Sequence, residues 1–157
     1  LSKTNFSPAS LLTQLNNEIC ETISRGMFVT MLIGIYDSST NELLLASAGH
    51  EPPIILNSKN EFSNFNEAGP PLGIVPKTKY LEYKINFDQS SMYIFTDGIT
   101  EIKNPQGEEL GSLGFQNYIN KYKDKPNNER LKLIVDNVIN SKYVQKDDLT
   151  IVVLDSI

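Results

Sequence analysis

The chain has 157 residues, 39% hydrophobic and 21% charged, a balance that suits one compact domain with a sizeable buried core. Its formal net charge of −5, with basic residues scattered rather than striped, leaves no electrostatic footprint for nucleic acid and points to a protein or small-molecule partner. The longest uncharged apolar run, Met27 to Tyr36, is about half a membrane-spanning helix, and the single cysteine, Cys20, rules out an internal disulfide and fits a reducing cytoplasm. There is no signal peptide, and the opening leucine leads us to expect a piece of a longer, cytoplasmic protein.

In chain order, the first expected element is a helix. Ser7 caps it, Pro8 takes the first helical position, and Leu11, Leu12, Leu15, Ile19 and Ile23 recur on one face until Arg25-Gly26 closes it. A β region follows. Met27 to Tyr36 reads as a buried strand and Glu42 to Ala48 as its neighbour, joined by the turn residues Asp37 to Asn41, with a short strand from Pro53 to Asn57. Gly69-Pro70-Pro71-Leu72-Gly73 is rich in helix breakers and predicts an ordered loop. Tyr80 to Phe87 alternates Leu81, Tyr83, Ile85 and Phe87 in strand fashion, and Met92 to Thr96 is a further strand. Helices are expected at Leu113 to Tyr122 and Asn127 to Asn140, and a last strand at Leu149 to Leu154. This order argues for an α+β layered domain rather than an alternating parallel fold.

Two acidic positions stand out against this frame. Asp97-Gly98 follows directly on the strand that ends at Thr96, with glycine permitting a sharp exit, and Asp147-Asp148 sits at the mouth of the final strand. Carboxylates anchored by two buried strands can converge on one hard cation, although each segment is also common turn or lead-in chemistry.

The surrounding residues resemble a family. Thr96-Asp97-Gly98-Ile99-Thr100-Glu101, followed by Asn104 and Gly107-Glu108-Glu109-Leu110-Gly111, resembles the signature of the SpoIIE-like bacterial branch of the metal-dependent type 2C (PPM) serine/threonine protein phosphatases. Met27-Phe28-Val29-Thr30, Ala48-Gly49-His50-Glu51-Pro52-Pro53, Gly69 to Gly73 and Lys146-Asp147-Asp148-Leu149-Thr150 match further segments of that family in the right order.

The resemblance implies a layered β-sandwich flanked by helices and two Mn²⁺ or Mg²⁺ ions that activate a water for attack on phosphoserine or phosphothreonine. It implies Asp97 and Asp147 as metal ligands, with Gly98, His50 and Asp148 in supporting places. The implied partner is a phosphorylated protein, typically an anti-sigma-factor antagonist of the STAS fold, under the control of an upstream sensor or receiver domain.

The sequence also departs from the pattern. The family opens with a glycine-aspartate step and an aspartate-x-x-glycine-histidine-glycine motif that supply a bridging metal aspartate, and neither occurs here. The eight aspartates are Asp37, Asp88, Asp97, Asp124, Asp136, Asp147, Asp148 and Asp155. We therefore expect an N-terminally truncated phosphatase domain whose missing strands leave an edge that invites pairing between two copies. The alternative is a degenerate, non-catalytic module that binds the same partner. Cys20 and Arg25 are one residue too close for the loop of covalent phosphatases, and the prolines of Gly69 to Gly73 remove the donors of a phosphate nest.

Overall fold

The computed structural model describes residues 7–24, 26–65, 68–140 and 148–156. Its elements in chain order are α1 (Pro8–Thr22), β1 (Met31–Asp37), β2 (Glu42–Ala48), β3 (Ile54–Leu56), β4 (Phe62–Asn64), β5 (Tyr83–Asn86), β6 (Ser91–Phe95), α2 (Asp97–Thr100), α3 (Gly111–Tyr122), α4 (Asn127–Asn140) and β7 (Ile151–Asp155). They fall into two compact units, one built on the chain up to Pro52 and on Phe65–Asp88, the other on Pro53–Asn64 and Gln89–Asp155.

In the first unit, α1 begins as its sequence dictates. Ser7 is extended, its side chain accepts from the Ser10 N–H at 3.2 Å, and Pro8 loses no hydrogen bond at the first helical position. The helix buries Leu12 against Ala46, Ala48, Leu72 and Tyr80. Asn16 on the same face is fully buried and satisfied: its amide donates to the Val75 carbonyl at 2.9 Å and accepts from the Gly73 N–H at 3.0 Å. That one side chain ties the helix to the loop that starts at Gly69.

The sheet of this unit is antiparallel in the order β1-β2-β5. The expected turn closes it, with Asp37 opposite Glu42, Asn41 at φ 53°, and the Asp37 carboxylate accepting from both the backbone and the hydroxyl of Ser39. Two expectations need correction. The strand foreseen at Met27 starts only at Met31 and is not buried: among the described residues β1 is an edge strand with one partner, so Ile35 and Tyr36 are exposed, as are Met27 and Phe28 before it. The strand foreseen from Tyr80 begins at Tyr83, because Tyr80 is recruited elsewhere, its N–H donating to Thr13 Oγ1 and its hydroxyl to the Pro70 carbonyl.

The second unit holds an antiparallel sheet in the order β4-β3-β6-β7. The three-residue β4 escaped the sequence reading because it is too short for an alternation to register. Ile54, Tyr93 and Phe95 of the sheet bury against Phe115 and Ile119 of α3 and Ile134 and Val138 of α4, all but completely excluded from water. The Phe115 ring meets Phe95 edge-on at 4.9 Å and Tyr93 at 6.4 Å, a geometry that suits aromatic quadrupoles. Both helices lie where periodicity placed them.

Candidate active site

Strand β6 lies between β3 and β7, and its buried Met92, Tyr93 and Phe95 fix its direction. Thr96 remains extended at φ −93° and stands at the N-cap position of α2, its side chain making no cap hydrogen bond, and Asp97 is the first helical residue. The sharp glycine exit expected here is a helical turn instead. The Asp97 carbonyl accepts from the Glu101 N–H at 2.8 Å and the Thr100 hydroxyl at 3.3 Å, while Gly98, Ile99 and Thr100 turn inward. The backbone of Asp97 is held by this turn, whereas its side chain is exposed and finds no hydrogen-bond partner among the described residues.

The second acidic segment is fastened to this turn by Thr96. Its N–H donates to the Thr150 carbonyl at 3.2 Å, its hydroxyl oxygen accepts from the Thr150 N–H at 3.1 Å, and the hydroxyl donates to the Asp148 carbonyl at 3.2 Å. Asp97 and Asp148 thus share one end of the β6–β7 ladder, in which Phe95 pairs with Ile151. Asp147, the expected ligand, lies outside the described residues, immediately before Asp148.

His50 belongs to the first unit, two residues beyond β2. The two glycine-bearing motifs there form one structure, a pairing that their sequences alone did not reveal. The Gly49 N–H donates to the Gly69 carbonyl at 2.8 Å and the Gly69 N–H to the Ser47 carbonyl at 3.0 Å. Gly49 has φ +68°, and a Cβ there would stand 2.5 Å from Pro71 Cγ, so only glycine fits. His50 is half-buried, and its Nε2 is shielded from water with no hydrogen-bond partner among the described residues. Cys20 is a helix-face residue whose thiol reaches Asn16 Oδ1 at 3.7 Å, which leaves it no place in a phosphate loop.

For a hard divalent cation, the donors are right in kind and short in number. Asp97 offers a free carboxylate beside a second acidic segment, yet the described residues contain no group of three or more His, Cys, Asp or Glu that would hold a metal by themselves.

Solved structures share this architecture. The SiaA-PP2C domain of Pseudomonas aeruginosa superposes with a TM-score of 0.78 at 17% identity, covering 95% of this chain and 61% of that one. The RsbU and RsbW domains of Rv1364c from Mycobacterium tuberculosis match with a TM-score of 0.78 at 18% identity, over 96% of this chain and 42% of that one. Two antiparallel sheets with helices, joined in this order, are therefore the α+β fold of PP2C-type phosphatase domains.

The family model described as Stage II sporulation protein E (SpoIIE) matches residues 1–156, and the chain belongs to that family. The phosphoserine phosphatase RsbU of Bacillus subtilis is 29% identical over 157 residues, a match that takes in 98% of this chain and 47% of RsbU. The chain thus spans about half the length of that relative.

Proposed function

We propose that the protein containing this chain is a metal-dependent protein serine/threonine phosphatase and that Asp97 is one of its metal ligands. The observation that carries the reading is the Thr96 clamp: three hydrogen bonds hold the backbone next to an exposed carboxylate, unpartnered among the described residues, against the segment that bears the second acidic pair. Membership of the SpoIIE family and the relation to a phosphoserine phosphatase support it.

Asp97 and Asp147 would hold a divalent ion, Mn²⁺ or Mg²⁺, with further ligands from outside the described residues. Such an ion neutralises phosphate charge and lowers the pKa of a bound water. RsbX, a relative of the same fold at a TM-score of 0.64, has been crystallised in complex with magnesium. The chain's own residues do the positioning. The α2 turn, in which Gly98 is buried, holds the Asp97 backbone at the strand end, and Thr96 fixes the approach of residues 148–150. The Nε2 of His50, unpartnered among the described residues, supports a hydrogen-bonding role for that residue in the complete protein.

The substrate we propose is a phosphoserine or phosphothreonine on a STAS-type anti-sigma-factor antagonist, with an upstream sensor or receiver domain regulating turnover. The kinship with RsbU, and with a protein that joins RsbU and RsbW domains, supports this. The test is manganese-dependent hydrolysis of a chromogenic phosphate ester and of a phosphoserine peptide by the full-length protein and its Asp97→Asn variant. Activity that survives intact in the variant refutes the metal assignment; a full-length protein inert with every divalent ion favours the non-catalytic module.

A further inference from the structure

At the far end of β6 from Asp97 lies a polar cavity of about 270 Å³, built entirely within the second unit. Asn57, Ser58 and Asn60 line one side, Gln89 and Ser91 the start of β6, and Lys123, Asp124 and Arg130 the helical side. Ser91 is six residues before Asp97, so the cavity stands about 20 Å from the proposed metal ligand at the usual strand rise.

Hydrogen bonds brace two of its walls. Arg130 is 5% exposed, its guanidinium donates twice to the Asp155 carboxylate at 2.6 and 2.8 Å, and it lies over the Tyr93 ring at 5.5 Å. Its Nε is buried without an acceptor among the described residues. Asn57 Oδ1 accepts from the N–H groups of Lys59 and Glu61, both at 2.9 Å, which locks the opposite loop. Asn60 and Gln89 hold left-handed backbone at φ 60° and 44°, a cost that non-glycine residues bear where the surroundings demand it.

The charges here balance formally, Lys123 and Arg130 against Asp124 and Asp155, but they are not equally committed. Asp155 is consumed by Arg130 and by the Ser91 hydroxyl at 2.6 Å. Lys123 is half-buried, and its ammonium has no partner among the described residues. Asp124 carries the other charge of the lining, but it is exposed, where water and salt screen its repulsion. What remains is one cation with no partner among the described residues, in a lining that also carries the neutral side chains of Ser58, Asn60 and Gln89.

We propose that this cavity binds a tetrahedral oxyanion of the phosphate class, free or as the terminal group of a small phosphorylated molecule, with Lys123 as its charge partner. An ammonium point charge with donors from several directions suits a tetrahedral anion better than a planar carboxylate. The site is independent of the proposed metal centre.

The test is calorimetric titration of the full-length protein with inorganic phosphate at constant ionic strength, with a chelator present to remove divalent metal. Saturable binding of one phosphate is expected in the wild type and in Asp97→Asn, weakened about tenfold or more in Lys123→Ala, as loss of a charged hydrogen-bond partner implies. Tighter binding of adenosine monophosphate than of phosphate assigns a phosphorylated small molecule as the ligand, and equal binding assigns free phosphate. No saturable binding, binding unchanged in Lys123→Ala, binding abolished in Asp97→Asn, or equal competition by acetate overturns the proposal.

Discussion

Thr96 and Thr150 exchange hydrogen bonds through both main chain and side chain: the Thr96 N–H reaches the Thr150 carbonyl at 3.2 Å, and the Thr150 N–H reaches Thr96 Oγ1 at 3.1 Å. One side chain thereby sets the distance between two acidic segments some fifty residues apart in sequence. Thr96→Val keeps the shape and removes the hydroxyl. We expect it to cost about 1 to 2 kcal/mol in urea unfolding and to lower phosphatase activity by more than the stability loss explains, read at a temperature where both forms are folded.

Asp97→Asn should separate function from folding. The carboxylate is exposed and makes no hydrogen bond among the described residues, so the unfolding free energy should change by less than about 0.5 kcal/mol. Manganese-dependent hydrolysis by the full-length protein should fall by about 100-fold or more, at or beyond what loss of a group supporting a metal costs.

Gly49→Ala should be disproportionately damaging for so small a change. The new methyl group meets the Pro71 ring at 2.5 Å while the backbone stays at φ +68°, and both burdens fall on the hydrogen-bonded contact with Gly69. A loss of about 2 kcal/mol or more in denaturant unfolding is expected, at the upper end of ordinary substitutions.

The pair Arg130 and Asp155 has a buried and a partly exposed end, at 6% and 33% side-chain exposure. Arg130→Met leaves the Asp155 carboxylate without its cation, with the Ser91 hydroxyl still donating to it, and should cost about 2 to 3 kcal/mol, less than a fully buried pair because water still reaches the carboxylate. Adding Asp155→Leu should recover much of that loss, which a double-mutant cycle in urea would measure.

Burial pushes the Tyr93 hydroxyl up to about 12 from its ordinary value of 10.0, Arg130 opposing and Asp155 assisting. The folded protein therefore keeps this proton after the unfolded chain has lost it. Its contribution is fully present below pH 10 and is lost as pH rises toward 12. The hydroxyl has no partner among the described residues, so Tyr93→Phe removes a buried polar group without breaking a bond. We expect the variant to match or exceed the wild type at neutral pH and to lose less stability under alkali, followed by circular dichroism across a pH series.

The two long helices, the capped first helix and the central strands were legible because each carries a period or cap that local sterics enforce. Ser7-Pro8 supplies a side-chain cap and a preset φ ahead of an apolar helical period, and α4 reads directly from Leu131, Ile134, Val135 and Val138. Edge status was not legible. Met27 to Tyr36 is apolar enough to suggest burial, but exposure depends on how many partner strands flank it, and β1 has one. The polar cavity was equally hidden, because it joins three separate stretches of chain that share no motif.

The longer elements, the acid at the strand end and the family likeness were set by the sequence, since these follow from local periodicity and from residue order. Tertiary structure alone decided that Asp97 opens a helical turn rather than a glycine kink, that Thr96 clamps it to residues 148–150, and that Gly49 must pack on Pro71. Hydrogen bonds and steric contacts between distant residues depend on how the chain returns on itself, and no local pattern encodes that return.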